Sequence, residues 1–258
     1  MKYKEILLQR DNQVATLILN RPEKRNALSL CLLEELIIAL QDFYVDKETR
    51  VVVIKGAGPC FSAGHDLSEM INKDILHYKK IFETCSKMMK LLQQIPQPTI
   101  AQVHGVAMAA GCQLVAACDL AIAAEGTRFS TPGVRIGLFC ITPSVPLSRA
   151  IGRKRALEML FTGDFINAKE AYEYGLINRV VPPAQLEAAT QELTTAIVRS
   201  SPMAISIGKQ AFYTQINMPD DQAYDFATNT IALNLATYDA QEGISAFLEK
   251  RTPKWKGK

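Results

Sequence analysis

The segment Val103–Glu125, "VHGVAMAAGCQLVAACDLAIAAE", is almost entirely apolar, and few polar residues interrupt it. Three very small residues, Ala109–Gly111, lie near its centre, and the carboxamide of Gln113 follows two residues later. The run is long enough to suggest a membrane span, but Gln113 and Asp119 both lie inside it. It therefore predicts a buried helix, beginning near Ala110, that is followed by a buried strand, with no membrane insertion.

The segments before this run alternate between strand and helix patterns. Short β-branched runs occur at residues 51–58 and 99–105, and a long helical stretch, residues 67–95, separates them. The first twenty residues predict a hairpin with a polar break at residues 10–13. Strand–helix–strand alternation indicates a largely parallel sheet, so the predicted fold class is α/β.

The pattern changes after about Thr142, where nearly every segment has helical spacing. Only residues 176–181, "LINRVV", are typical of a strand there. We therefore expect two parts: residues 1–195 as an α/β core that carries the site, and residues 196–258 as a helical region. Such a region caps a core or joins subunits.

Composition excludes several classes of function. The chain has 258 residues, is 48% hydrophobic and 21% charged, and carries a formal charge of +3, which is too small to indicate nucleic-acid binding. Its six cysteines form no C-x-x-C pair and lie in apolar surroundings, which predicts buried, reduced thiols and no metal. The N-terminus lacks the apolar core of a secretory signal, so we expect a cytoplasmic protein in a bacterium or a mitochondrial matrix protein in mature eukaryotic form.

Two turns are candidates for binding an anion through backbone amides. The first contains Ala63–Gly64, after which the N–H of His65 would project beyond the turn. The second is Ala109–Gly111, where the first amides of a helix lack internal acceptors and carry the positive end of its dipole. Taken alone, the small residues of either turn are explained by close packing of the backbone. Together they predict an oxyanion hole, in which one donor contributes about 2.7–4 kcal/mol in the transition state.

Seven segments of the chain resemble, in order, those of the crotonase (enoyl-CoA hydratase/isomerase) superfamily. They are "LNRPEKRNALS", "FSAGHDLSEM", "GVAMAAGCQLVAACDLAIA", "FSTPGVRIGL", "ALEMLFTG", "AKEAYEYGLINRVVP" and "EGISAFLEKR". The resemblance implies a crotonase-type spiral of ββα units and a C-terminal helical region that forms trimers or dimers of trimers. It also implies an acyl-CoA thioester as the ligand, with coenzyme A as part of the substrate and no separate cofactor.

The resemblance further assigns roles to individual residues. The backbone amides of His65 and Ala110, beside Gly111, would form the oxyanion hole around the thioester carbonyl. The positions that correspond to coenzyme A contacts are Lys24, Arg25, Asn26, Ala27 and Ala63, with phosphate contacts from Lys250, Arg251 and Lys254 of a neighbouring subunit. Alternatively, Lys24 and Arg25 lie on a solvated turn that binds nothing, and the basic residues near the C-terminus form an exposed tail.

The chain departs from the family's hydratases at both acid–base positions. Those hydratases carry two glutamates, whereas this chain has Gln113 and Gly133, neither of which exchanges a proton near neutral pH. Losing one such group costs about 10²–10⁴-fold, so we expect oxyanion-only chemistry, such as decarboxylation of a malonyl-type CoA, rather than hydration. The alternatives are a non-catalytic acyl-CoA binding protein and a weak hydratase or isomerase that uses another acid. Gln113 itself contacts an acyl group or is a satisfied core amide.

Two further residues are candidates for the pocket. Asp66 could act as an acid, although the same position suits a helix N-cap. Cys140 could attack a thioester if a base or a positive environment activated its thiol. We also expect that restoring glutamate at both Gln113 and Gly133 would create hydration of crotonyl-CoA.

Overall fold

Nine strands in two sheets form the framework of residues 3–258, which are the residues that the computed structural model describes. The strands are β1 (Ile6–Asp11), β2 (Val14–Leu19), β3 (Val51–Gly56), β4 (Thr99–Val103), β5 (Val106–Met108), β6 (Leu120–Ala124), β7 (Arg128–Ser130), β8 (Ile166–Asn167) and β9 (Arg179–Val181). The helices are α1 (Leu30–Val45), α2 (Ile75–Gln94), α3 (Ala110–Ala117), α4 (Ile141–Ile151), α5 (Arg153–Thr162), α6 (Ala168–Tyr174), α7 (Leu186–Val198), α8 (Pro202–Gln215), α9 (Asp220–Leu235) and α10 (Tyr238–Leu248).

The larger sheet has the strand order β1-β2-β3-β4-β6-β9. Its first two strands form the predicted antiparallel hairpin, and the other neighbours pair in parallel. The smaller sheet has the order β5-β7-β8, with β5 and β7 parallel and β8 antiparallel to β7. The predicted α/β class is therefore confirmed, although the sequence did not reveal the two-residue strand β8.

The chain alternates between the two sheets and so forms a spiral of ββα units. It passes from β4 in the large sheet to β5 in the small sheet and then enters α3; β6, β7 and α4 follow the same path. The strand predicted at residues 99–105 is shorter than expected, and a second strand separates it from the helix that begins at Ala110. The strand ends at Val103, because the chain turns at Gly105, where φ is +65°, and starts β5 in the other sheet.

Helices cover the two faces of the large sheet differently. Val52, Ile54 and Ala101 face the main core, which also contains the buried sides of α1, α2 and α3. Val51 and Val53 face the other way, toward α7. Because side chains of a strand alternate between faces, these continuous apolar strands can be buried on both sides.

The helical stretch expected at residues 67–95 is interrupted. Leu67–Met70 forms a short 3-10 turn, and α2 begins only at Ile75. Asn72 has a φ of +55°, which breaks the helix, and the carboxylate of Asp74 accepts a hydrogen bond from the N–H of His77 at 2.8 Å. Asp74 is thus an effective N-cap that begins a new helix, and the prediction of one continuous helix was wrong.

The C-terminal helices are joined to the core through α8. Lys209 Nζ donates to the carbonyls of Leu92 at 2.6 Å and Gln97 at 2.8 Å, and it lies 2.8 Å from Asp119 Oδ2.

The last two helices are more exposed: within residues 3–258, α9 has no buried side chain. Exposed apolar side chains on α9 and α10 include Tyr224, Ile231, Leu233, Leu235, Phe247 and Leu248. The division at residue 195 stays a prediction. Over the same residues, every helix is too short or too polar to cross a membrane.

Candidate active site

The two turns identified from the sequence lie against each other. The N–H of Ser62 donates to the carbonyl of Val106 at 3.1 Å, and the N–H of Met108 donates to the carbonyl of Ser62 at 2.9 Å. A Cβ atom at Gly111 would lie 2.5 Å from the carbonyl oxygen of Ser62. The start of α3 can therefore approach the first turn this closely only without a side chain at that position.

Gly64 makes the corresponding contact from the other side. Its φ is +95°, and a Cβ atom there would lie 2.9 Å from Ala109 Cβ and 3.3 Å from the nitrogen of Ala110. The first turn therefore ends against the residues that begin α3.

The backbone at Ala109 directs the first amide of α3. Ala109 has φ +47° and ψ −116°, a combination that strains a residue with a side chain, and its N–H donates to the carbonyl of Ser130 at 2.9 Å. Ala110 is the first helical residue, so its N–H has no acceptor inside the helix. No other acceptor for this N–H occurs in the part of the chain that the structure describes.

The amide of His65 is free for a different reason. Leu28 pairs with His65 as in a parallel sheet: the N–H of Leu28 donates to Gly64 at 2.7 Å, and the N–H of Asp66 donates to Leu28 at 3.3 Å. In this pattern the N–H of His65 points away from Leu28. It has no acceptor among residues 3–258. Two adjoining turns thus each offer a backbone donor that can bind an oxygen with developing negative charge.

Gln113 lies one helical turn after Ala110 on α3. Its side chain is only 3% exposed, yet its Oε1 has no hydrogen-bond partner in the described chain. The residue lines a groove of about 640 Å³ between α2, α3, α4 and α8, whose lining includes neither His65 nor Ala110. A larger cavity of about 740 Å³ lies on the α7 side of the sheet, away from both turns. The unpaired Oε1 favours a ligand-contacting role for Gln113 over that of a satisfied core amide, and this assignment stays a prediction.

Gly133 is buried in the 3-10 turn that follows β7, and its position leaves no room for a side chain. A Cβ atom there would lie 2.6 Å from the carbonyl oxygen of Leu138 and 2.8 Å from Cys140 Sγ. The N–H of Leu138 donates to the carbonyl of Gly133 at 2.9 Å, which holds the two segments together. The segment 138–140 thus occupies the space into which a glutamate side chain would extend.

This packing revises the expectation that two glutamates would restore hydration. We expect Gly133→Ala alone to lower the free energy of unfolding by about 1–3 kcal/mol, because backbone and thiol must move to admit one methyl group. We expect Gln113→Glu with Gly133→Glu to be less stable still and to hydrate crotonyl-CoA no faster than background. Urea unfolding and a hydration assay measure these effects.

Gly208→Ala is the matched control, since nothing lies within 4 Å of the methyl group that it adds in α8. It should raise stability slightly through helix propensity. Hydration by a folded double variant, with stability close to that of the original chain, would contradict the packing argument.

Asp66 and Cys140 lack the properties of acid and nucleophile at this site. Asp66 accepts hydrogen bonds from Arg21 at 2.9 Å and from Ser68, and it caps the 3-10 turn. Burial raises the pKa of Asp66, but these hydrogen bonds outweigh burial and lower it overall, so the carboxylate is ionised at neutral pH. Burial raises the pKa of the Cys140 thiol, only partly offset by a hydrogen bond from the Gly133 backbone, so little thiolate is present.

The loop assigned to coenzyme A contains two exposed cations and one buried amide. Lys24 and Arg25 are exposed, whereas Asn26 is fully buried. Asn26 Nδ2 donates to two carbonyls of the segment 57–60, each at 2.8 Å, and its Oδ1 accepts the N–H of Arg21 at 3.0 Å. The side chain and the backbone of Asn26 both shape the loop, since its N–H donates to the carbonyl of Arg21 and its carbonyl accepts from the Ser62 hydroxyl, each at 2.8 Å. Ala63 lies beside the cations, since its N–H donates to the carbonyl of Arg25 at 3.0 Å.

The basic residues near the C-terminus are partly engaged. Arg251 forms ion pairs with Glu242 and Glu249, each at 2.6 Å, and the backbone N–H of Lys254 also donates to Glu242. Lys250 adopts a φ of +57° at the end of α10. The proposed phosphate contacts of this tail stay predictions, and Arg251 would have to release a carboxylate to take part.

Sequence reasoning missed Thr131, and it gave the side chain of His65 less weight than its backbone amide. Thr131 is fully buried at the N-cap of the 3-10 turn, but its hydroxyl caps nothing and has no partner in the described chain. The His65 ring packs edge-on against Phe82 with centroids 5.3 Å apart. Burial lowers its pKa to about 4, only partly offset by the nearby Leu28 backbone, so the imidazole is neutral near pH 7. The only sequence signal for Thr131 was its place two residues before Gly133.

A two-sheet ββα spiral with unpaired amides on two adjoining turns, one of them at the start of a buried helix, defines a protein of the crotonase superfamily. The family model for enoyl-CoA hydratase/isomerase matches residues 9–258, and the chain belongs to that family.

Relatives and solved structures agree with this assignment. The chain is 45% identical, over 94% of its length and 81% of the relative's, to mouse (Mus musculus) enoyl-CoA hydratase domain-containing protein 3, mitochondrial. The crystal structure of an enoyl-CoA hydratase from Mycobacterium smegmatis is 46% identical with a TM-score of 0.96, covering 98% of this chain and 99% of that one. The crystal structure of human enoyl-CoA hydratase domain-containing protein 3 is 43% identical with a TM-score of 0.95, covering 98% and 100%.

Proposed function

We propose that this protein is an acyl-CoA enzyme that stabilises an enolate through two backbone amides and lacks the acid–base pair needed for hydration. The thioester oxygen would accept hydrogen bonds from the N–H groups of His65 and Ala110. The observation that carries the proposal is that these amides lie on adjoining turns without acceptors in the described chain, while Gln113 and Gly133 replace the usual acids. Family membership supports an acyl-CoA as the ligand.

Decarboxylation of a malonyl-type CoA fits such a site. The bond between the α carbon and the carboxylate breaks, CO₂ leaves, and the electron pair moves into the enolate, whose oxygen the two amides stabilise. Water then supplies a proton to the α carbon. No residue has to remove a proton to start the reaction, so the absence of glutamate at Gln113 and Gly133 is no obstacle.

Incubation with malonyl-, methylmalonyl- and crotonyl-CoA tests this proposal. We expect mass spectrometry to show acetyl-CoA and propionyl-CoA from the first two substrates, and no 3-hydroxybutyryl-CoA above background from the third. In D₂O the acetyl-CoA should carry one deuterium. Hydration of crotonyl-CoA without decarboxylation would refute the proposal. Tight binding of all three thioesters, each recovered unchanged, would instead establish a non-catalytic acyl-CoA binding protein.

We further propose that the chain self-associates through its C-terminal helices. The exposed apolar side chains of α9 and α10, including Ile231, Leu233 and Phe247, support this proposal because isolated soluble chains rarely expose several large apolar groups together. The name of the mouse relative includes "mitochondrial", which supports a mitochondrial location for this chain if its source is eukaryotic.

A further inference from the structure

Buried polar atoms without partners are concentrated at the candidate site. In residues 3–258, five buried side-chain polar atoms lack a hydrogen-bond partner. Four of them are Oε1 of Gln113, Oγ1 of Thr131 and the two ring nitrogens of His65, which lie close to the Leu28 backbone without a well-aligned hydrogen bond to it. The fifth belongs to Gln97, whose amide nitrogen donates to a carbonyl near the end of α1.

The three residues approach the same point of the backbone from three elements. Gly64, which precedes His65, lies against Ala109 and Ala110. Ser130, which precedes Thr131, accepts the N–H of Ala109 at 2.9 Å. On α3, the N–H of Gln113 donates to the carbonyl of Ala109 at 3.0 Å. Gln113 and the residues directly before His65 and Thr131 are thus each in contact with the residues that present the Ala110 amide.

A folded protein rarely leaves such atoms unpaired, because each one loses its bonds to water on burial and gains nothing in return. Thr131 is fully buried and Gln113 is 3% exposed, so bulk water does not satisfy them. Three unpaired groups beside one backbone junction indicate that a ligand supplies their partners. A plain alkyl chain offers no hydrogen-bonding atom, so the part of the ligand next to the thioester must be polar.

We propose that Thr131, Gln113 and the imidazole of His65 bind the carboxylate of a malonyl-type thioester and select it over an apolar acyl group of the same shape. This inference rests on the proposed function, since it identifies the group that the same reaction releases as CO₂. All three side chains can donate: the threonine through O–H, the glutamine through its amide N–H after a half-turn of the group, and the neutral imidazole through one ring N–H.

Neutral donors suit this reaction better than a cation would. Hydrogen bonds from neutral groups orient the carboxylate without cancelling its charge, whereas an ammonium or guanidinium would stabilise the charged substrate more than the departing CO₂. The three residues are therefore expected to determine specificity, while the amides of His65 and Ala110 stabilise the enolate.

Binding, rather than turnover, provides the test. Isovaleryl-CoA is the probe that matches malonyl-CoA in shape, because two methyl groups replace the two carboxylate oxygens. Rapid-mixing titrations should show tighter binding of malonyl-CoA than of isovaleryl-CoA by the original chain. Thr131→Val should weaken malonyl-CoA binding about 10- to 100-fold and change isovaleryl-CoA binding less than threefold.

The unfolding midpoint of Thr131→Val provides a second readout. If the hydroxyl had a structural partner, its removal would lower this midpoint. Because the Thr131 hydroxyl has no partner, Thr131→Val should leave the unfolding midpoint unchanged or raise it. The matched control is Thr190→Val on α7, where the hydroxyl donates to the carbonyl of Leu186 at 2.8 Å and is also buried. This control should keep the preference for malonyl-CoA.

The outcomes separate this inference from the proposed function. Equal affinity of the original chain for the two thioesters, or an unchanged preference in Thr131→Val, would overturn the assignment of these residues even if decarboxylation occurs. A lower unfolding midpoint for Thr131→Val would also overturn it, because the hydroxyl would then have a structural partner. A clear, Thr131-dependent preference without decarboxylation would support the inference and refute the proposed reaction.

Discussion

Lys209→Met is expected to lower the free energy of unfolding by about 3–5 kcal/mol, since it removes one partner of a buried ion pair. The side chain of Lys209 is 6% exposed, and its ammonium group donates to two backbone carbonyls besides pairing with Asp119. Asp119 also accepts hydrogen bonds from Thr99 at 2.6 Å and from the Tyr213 hydroxyl at 2.7 Å. Removing the ammonium therefore leaves a carboxylate and two carbonyls short of donors.

Chemical denaturation monitored by circular dichroism measures this effect. Lys169→Met is the control: Lys169 is 84% exposed and 3.8 Å from Glu173, so its replacement should change stability by no more than about 0.5 kcal/mol. Adding Asp119→Asn to Lys209→Met should recover part of the loss, because the unpaired charge is then gone. A loss below about 1 kcal/mol for Lys209→Met would show that the network does not hold α8 to the core.

Gly64→Ala is expected to reduce turnover of malonyl-CoA by about 10²–10³-fold, the effect of losing one oxyanion donor. The added methyl group would lie 2.9 Å from both Ala109 Cβ and the Met108 carbonyl oxygen. It would therefore push the turn that presents His65 away from the turn that presents Ala110. The measurement is kcat for decarboxylation, together with the dissociation constant for acetyl-CoA.

Gly126→Ala is the control that separates the effect of the new methyl contact at Gly64 from the effect of placing alanine at a positive φ. Gly126 has a φ of +81°, close to the +95° of Gly64, but nothing lies within 4 Å of the methyl group that it would gain. Its variant should lose some stability and keep its turnover. If the folded Gly64→Ala protein decarboxylates malonyl-CoA as fast as the original chain, the two amides do not act together as proposed.

Much of the fold could be predicted because its signals are local. The hairpin β1–β2, the buried strands and the buried helix α3 follow from hydrophobic periodicity and from Gly and Pro positions. The errors occurred where local patterns were ambiguous. Residues 67–95 have helical spacing throughout, but Asp74 starts a second helix within them. Residues 99–108 contain two strands in different sheets, β4 and β5. Hydrophobic periodicity alone does not show whether such an apolar stretch is one strand or two strands joined by a turn.

The candidate site was predicted in part. Small residues at Gly64 and Ala109–Gly111 indicated two turns, and the structure places these turns in contact. Thr131 was missed, because whether a buried hydroxyl has a partner depends on residues distant in the chain. Gly133 was interpreted only as a missing glutamate, although the segment 138–140 leaves its side chain no space.

The sequence by itself determined the alternation of strands and helices, the absence of glutamate at Gln113 and Gly133, and the small residues that allow close backbone approach. These properties belong to single residues and their neighbours. Tertiary structure alone decided which polar atoms lack partners, that Asn26 shapes its loop, and that Lys209 joins α8 to Asp119. Hydrogen bonding and burial are properties of pairs that the fold brings together across long stretches of chain, so no local pattern records them.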